Sequence, residues 1–103
     1  MQLSEQWVLV TGGARGLGQA ITRALAREGA GVVINYHRSE AAALALAEEL
    51  GPRAIALQAD VTDAAAVQRL FAAARERTDA PINAVVNNAL AQFSFDGDAR
   101  PKL

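Results

Sequence analysis

The sequence predicts an α/β protein built on a doubly wound parallel sheet, and three observations carry that prediction. Four short apolar runs alternate with three stretches of helical periodicity in the order β-α-β-α-β-α-β. The connections are too long for hairpins and long enough for helical crossovers, as parallel strands require. The first run passes directly into Thr11-Gly12-Gly13-Ala14-Arg15-Gly16-Leu17-Gly18, a glycine-punctuated turn that opens a helix. Such a turn leaves main-chain N–H groups bare for an anion.

Residues 7–11 form a compact apolar run suited to a buried parallel strand. Over residues 17–28, Leu17, Ile21, Ala24, Leu25 and Glu28 recur at helical spacing, with Gln19, Arg23 and Arg27 assigned to solvent; Gly29 and Gly31 end the helix. Residues 31–36 are a second strand. Ser39 is then an N-cap for an alanine-rich helix running to about Leu50, where Gly51-Pro52 stops it. Residues 54–59 give a third strand, less uniformly apolar because of Gln58. Thr62 or Asp63 caps a third helix with Val67, Leu70, Phe71 and Ala74 on one face, ending near Thr78 and Pro81. Residues 82–88 are the fourth strand, after which the pattern decays. Right-handed crossovers and an anion site at the first turn favour strand order 3-2-1-4, with the ligand crevice at the switch point between strands 1 and 4.

At 103 residues the chain fits one small domain. Half of the residues are hydrophobic and the net charge is −1, a balance that suits a folded core and not a disordered tail. The arginines are scattered, with no basic run to track a phosphate backbone, so nucleic acid is not an expected partner. Nor is a membrane, since no apolar stretch approaches spanning length. Without cysteine there are no disulfides or thiolate metal sites, and the absence of a leader pattern makes the cytoplasm the expected compartment. His37 is the only histidine, and no acid cluster has ligand spacing; no metal is expected.

Thr11-Gly12-x-x-x-Gly16-x-Gly18 after strand 1, Asp60-Val61 closing strand 3 and Asn87-Asn88-Ala89 closing strand 4 together resemble the short-chain dehydrogenase/reductase family. The resemblance runs from about Trp7 to Ala89 and implies a partial Rossmann-type fold. Its softer affinity is with bacterial 3-oxoacyl-(acyl-carrier-protein) reductases, through Asn35-Tyr36 and the general wording of the segments. Gly12 allows the tight turn, Gly16 and Leu17 present amides to a pyrophosphate, and Gly18 permits close helix packing. Gly13 reads as a spare glycine. Ala14 replaces a hydroxyl residue often found there in the family, and Leu90 replaces a glycine.

The expected cofactor is NADP(H). NAD-selective sites place an acid at the end of strand 2, whereas this chain has Asn35, Tyr36, His37 and Arg38 there, with Arg15 in the glycine turn. A guanidinium fork suits a 2′-phosphate. Arg15 resembles the basic residue of NADP-dependent relatives; Arg38 is either a phosphate ligand or a solvated side chain. By resemblance, Asp60 accepts from the adenine amino group and Val61 packs on the base, the alternative being that Asp60 belongs to a helix-capping turn. Asn87 and Ala89 resemble the segment lining the nicotinamide ribose, while Asn88 ties strands together. His37 reads as a surface histidine.

No catalytic residue is expected within these residues. The family's acid tyrosine, the lysine four positions later and the carbonyl-binding serine have no counterpart: the sole tyrosine, Tyr36, is followed at that spacing by Glu40, and the sole lysine is Lys102. The expectation is therefore a coenzyme-binding portion over 1–89, with 90–103 a tail leading to a missing C-terminal half, and inactive by itself. Its partners would be a small-molecule or acyl-carrier-bound carbonyl substrate, and either a second copy in a homo-oligomer or the missing half, because strand 4 leaves an open edge. A noncatalytic NADP(H)-binding module and a fragment that binds nothing are the competing readings.

Overall fold

The computed structural model describes residues 2–89, so expectations for residues 90–103, including the departure at Leu90, lie outside the described residues. Strands β1 (Trp7–Val10), β2 (Gly31–Tyr36), β3 (Ala54–Gln58) and β4 (Ala84–Val86) alternate with helices α1 (Gly16–Arg27), α2 (Glu40–Leu50) and α3 (Ala64–Thr78). A single 3-10 turn, Leu3–Glu5, precedes them. All pairs are parallel, in the order β3-β2-β1-β4 expected from handedness.

Both faces of the sheet are covered, which is why its strands read as continuous apolar runs. Val32, Ile34 and Tyr36 pack with Ala43 and Leu46 of α2, and Val8 and Val10 with Ile21 and Leu25 of α1. On the other face Leu9 and Val33 meet Ala66, Leu70 and Ala74 of α3. The odd and even residues of each strand thus serve opposite layers.

Two helix faces differ from expectation. On α1 the buried positions are Gly18 and Thr22, while Leu17 is 62% exposed and Ala24 also faces solvent. The helix approaches the preceding turn so closely that only a glycine fits at 18. Thr22 reaches full burial because its hydroxyl lies 3.0 Å from the Gly13 carbonyl and 2.8 Å from that of Gly18. On α3 the buried stripe is Ala66, Leu70 and Ala74, whereas Phe71 is 37% exposed. Small residues let α3 lie close to the sheet, and Phe71 overhangs beside β4, where Val85 is 40% exposed.

Capping also sorts differently. Asp63 is the N-cap of α3, accepting from the Ala65 amide at 3.0 Å. Ser39 occupies the N-cap position of α2, but its hydroxyl makes no capping hydrogen bond.

At the N-terminal ends of the strands, Arg53 gathers three carbonyls. Its guanidinium donates to Ser4 at 2.7 Å, Gly29 at 2.9 Å and Gln6 at 3.2 Å, and lies over the Trp7 ring at 5.2 Å. This fastens the N-terminal turn to β3 at the end of the sheet opposite the glycine turn.

Candidate functional site

The C-terminal ends of β1, β2 and β3 open into a cavity of about 520 Å³. Of the residues singled out from sequence, Gly12, Arg15, Asn35, Tyr36, Arg38, Asp60, Val61 and Ala89 line it, joined by Ala14, His37, Ser39, Ala59 and Thr62. Gly16, Leu17 and Gly18 form the first turn of α1 directly after Arg15. Thr11 and Asn87 instead line a neighbouring, more apolar hollow of about 350 Å³ against α3, with Val61 shared between the two.

The glycine turn is made possible by two positive-φ glycines and held by two asparagines. Gly12 and Gly16 have φ of +61° and +55°, a region that side chains with a Cβ rarely occupy. Asn35 is 2% exposed, and its carboxamide works inward. Its Oδ1 accepts from the Gly12 amide at 3.2 Å, and its Nδ2 donates toward the Leu57 and Ala59 carbonyls at 3.4 and 3.3 Å. Asn35 therefore locks three loop-strand junctions together; what it presents to the cavity is a wall. From the other side, Asn88 Nδ2 donates to the Gly12 carbonyl at 3.1 Å. Thr11 is likewise committed, its Oγ1 donating to the Val86 carbonyl at 3.2 Å and accepting from the Ala89 amide at 3.1 Å. Gly13 is not spare, because a Cβ there would stand 2.9 Å from both the Val10 carbonyl and the Thr22 hydroxyl.

With Gly12 and Gly13 donating to Asn35, the first-turn amides of α1 are the donors that lack intrahelical acceptors. Arg15 stands at the N-cap and cannot accept from them, and no acid lies in the first turn. A helix start with this composition favours an external anion. Across the cavity, α2 begins with the uncommitted Ser39 hydroxyl beside Arg38. His37, Ser39 and Thr62 are the polar cavity residues that sequence reasoning assigned elsewhere, His37 to the surface and the other two to caps. A strand end passing into a polar run before a helix start was the signal available for all three.

The carboxylate lining the cavity and the one next to it are both engaged. Asp60 Oδ1 accepts from the Thr62 amide at 2.9 Å and its hydroxyl at 2.6 Å, so Asp60 both lines the cavity and closes a turn before α3. These two bonds from Thr62 hold its carboxyl below the usual range, with His37 and Arg38 adding smaller attraction. Glu40, the acidic residue in the first turn of α2, accepts from the Tyr36 hydroxyl at 3.3 Å. Burial first, then the Glu40 charge, raises the Tyr36 pKa and keeps it a neutral donor. Among the described residues one buried polar atom, Asn88 Oδ1, has no partner, and it sits beside the glycine turn. Among the described residues no group of three His, Cys, Asp or Glu side chains could hold a metal ion, and no helix is long and apolar enough to cross a membrane.

An uncapped helix start after a glycine turn, at the carboxyl ends of the strands of an open parallel sheet, is the architecture of dinucleotide-binding α/β proteins. Within that class, the short chain dehydrogenase family model matches residues 6–98, and the chain belongs to this family. Curated relatives include the NADPH-dependent aldehyde reductase-like protein, chloroplastic, of Arabidopsis thaliana, 38% identical over 101 residues, covering 86% of this chain and 37% of that protein. Sorbitol dehydrogenase of Cereibacter sphaeroides is 45% identical over 89 residues, covering 86% and 34%. Among solved structures, FolM alternative dihydrofolate reductase 1 from Brucella canis, complexed with NADP, superposes with a TM-score of 0.75 at 35% identity, covering 82% of this chain and 35% of that one. The 3-ketoacyl-(acyl-carrier-protein) reductase from Brucella melitensis, complexed with NADH, gives 0.74 at 31%, covering 82% and 34%. The chain spans about a third of the length of these relatives.

Proposed function

We propose that this chain supplies the coenzyme-binding portion of an NADP(H)-dependent oxidoreductase acting on a carbonyl group. One observation carries the reading: the glycine turn and the residues just before α1 and α2 line one cavity together with Arg15 and Arg38, while its nearby acids are engaged by Thr62 and Tyr36. The residues fit the coenzyme. Gly16 and Leu17 offer amides to the pyrophosphate, with Gly12 and Gly18 keeping the approach clear. Arg15, Arg38 and Ser39 suit a 2′-phosphate. Asp60, held ionised, accepts from the adenine amino group with Val61 against the base. Ala89 and the neighbouring Asn87 lie toward the nicotinamide ribose; Thr11, Asn35, Tyr36 and Asn88 hold the frame.

When bound, the nicotinamide supplies or accepts the hydride. The described residues bind and orient it, and proton transfer to the carbonyl falls to groups outside the chain, since no Tyr-x-x-x-Lys occurs within its 103 residues. On this reading the chain alone does not turn over. The substrate class we favour is a 3-oxoacyl thioester on a carrier protein, as in cytoplasmic fatty acid biosynthesis, supported by the likeness to the 3-ketoacyl-(acyl-carrier-protein) reductase. Residues 1–89 form the coenzyme unit and 90–103 lead onward, and the open β4 edge pairs with a further portion or a second copy.

Calorimetric titration with NADP+ and NAD+ tests the binding claim: saturable heat with NADP+, weakened much more than NAD+ by Arg15→Ala, is expected. No heat with either coenzyme, or equal loss for both, refutes it. The competing reading is a noncatalytic NADP(H)-binding module. Coexpression with the downstream reading frame separates the two, because NADPH-dependent ketone reduction appears only for the enzyme.

A further inference from the structure

On the α3 side of the sheet, helix cover among the described residues reaches β1, β2 and β3 but stops short of β4. Leu9, Val33, Ile55 and Leu57 pack with Leu70 and Ala74, whereas Val85 stays 40% exposed and Phe71, overhanging from α3, 37%. Between these two lies the apolar hollow of about 350 Å³, floored by the buried Leu9 and Leu70 and walled by Val67, Phe71 and Val85. The deficit is one-sided, because on the opposite face Val86 packs with Val8 and Val10 beside α1. Exposed apolar side chains grouped around such a depression mark a surface that is covered by something.

What covers it follows from where the chain goes next. The Ala89 amide donates to Thr11 Oγ1 at 3.1 Å, and Thr11 and Asn87 both line the hollow, so residue 90 sets out from its edge. The sequence from there opens with Leu90, Phe93 and Phe95, two of the chain's three phenylalanines among them, and continues with Asp96 and Asp98. Helix α3 offers the complementary series in the same direction: Val67 and Phe71 at the hollow, then the exposed Arg75 one turn beyond. Four residues span up to about 13–14 Å, enough to bring Phe93 from the edge into the hollow. We infer that residues 90–98 fold back along α3 as an apolar strap, with Leu90, Phe93 and Phe95 covering Phe71 and Val85, and Asp96 and Asp98 facing Arg75. The strap lies on the face of β4 and leaves its edge open. Val61 is the one lining residue that the hollow shares with the coenzyme cavity, so the inference stands apart from the NADP(H) reading.

The test uses the full 103-residue chain. Phe93→Ser/Phe95→Ser is expected to lower Tm by about 5–15 °C, as the loss of packed aromatic side chains does in a domain of this size. A segment standing in solvent would tolerate both changes with no shift. Phe71→Ala gains helix propensity, yet should lose several degrees, and combining it with the tail changes should add little, because both sides of one contact are then gone. At low salt Asp96→Lys/Asp98→Lys should also lower Tm, with Arg75→Glu recovering part of the loss. Nuclear Overhauser contacts from the Phe93 or Phe95 ring to the Val85 methyls read the docking directly in the unaltered chain. An unchanged Tm in Phe93→Ser/Phe95→Ser, or no such ring-to-methyl contact, overturns the inference. Contacts seen only between differently labelled chains in a mixed sample, with a Tm that rises with protein concentration, overturn it in favour of a second copy.

Discussion

Gly18→Ala is the sharpest perturbation the fold offers. An added Cβ would overlap the Gly12 carbonyl oxygen, and would stand 2.6 Å from Asn88 Nδ2 and 2.9 Å from the Gly12 carbonyl carbon. Non-bonded carbon contacts settle near 3.5–4.0 Å, so α1 must retreat by roughly 1 Å. None of these neighbours can yield cheaply, since two are backbone and the third is a buried amide donating to that same carbonyl. Overpacking of this kind costs about 1–3 kcal/mol, and alanine returns up to about 1 kcal/mol of helix propensity. A net loss of about 1–2 kcal/mol corresponds to a Tm fall of roughly 5–15 °C for a chain of this size. Because the same retreat moves the α1 amides away from the Gly12 turn, NADP+ affinity should drop about tenfold as well, a loss of roughly 1.4 kcal/mol. Circular-dichroism melts and calorimetry read the two effects separately. Ala20→Gly, on the exposed flank of α1, is the control, costing about 1 kcal/mol through propensity while leaving the coenzyme untouched. An unchanged or raised Tm in Gly18→Ala, or an equal loss of affinity in both variants, refutes the close-packing argument.

Arg38→Ala should weaken NADP+ by about tenfold or more and NAD+ hardly at all, the loss of one charge-assisted phosphate contact; isothermal titration measures it. Asn35→Leu strands the Gly12 amide and should destabilise by about 1–3 kcal/mol, seen as a lowered urea midpoint at constant slope. Arg53→Ala removes three carbonyl contacts and the Trp7 stack, far from the cavity. It should lower stability by about 1–2 kcal/mol without altering coenzyme affinity. Asp60 has a depressed folded-state pKa, so its stabilising contribution is present above the ordinary carboxylate range and is lost as pH falls through the folded value. Acid titration of Asp60→Asn against the parent should show the parent's advantage vanishing only below that range.

The strand and helix order, the sheet's strand sequence and the gathering of the glycine turn with the ends of strands 2 and 3 around one cavity were all legible in the chain. These rest on local signals: β-branched runs, helical periodicity, a glycine turn, and a handedness rule that admits few layouts. The contacts that make the site rigid were not. Thr22 beneath the glycine turn, Asn35 clamping Gly12, Asn88 holding the same carbonyl and Arg53 gathering the N-terminal turn are hydrogen bonds between residues 9 to 76 positions apart. Periodicity finds apolar faces but not the distance at which they pack. Hence Leu17 and Phe71, counted as core from spacing, stand exposed, while Gly18 packs on the glycine turn and Ala66 on the sheet. The sequence by itself determined which elements form and in what order they lie, because each choice is settled within a few residues. Only the tertiary structure decided which polar groups are spent on the frame and which face the cavity, because a hydrogen-bonding group has no assigned role until distant chain brings it a partner.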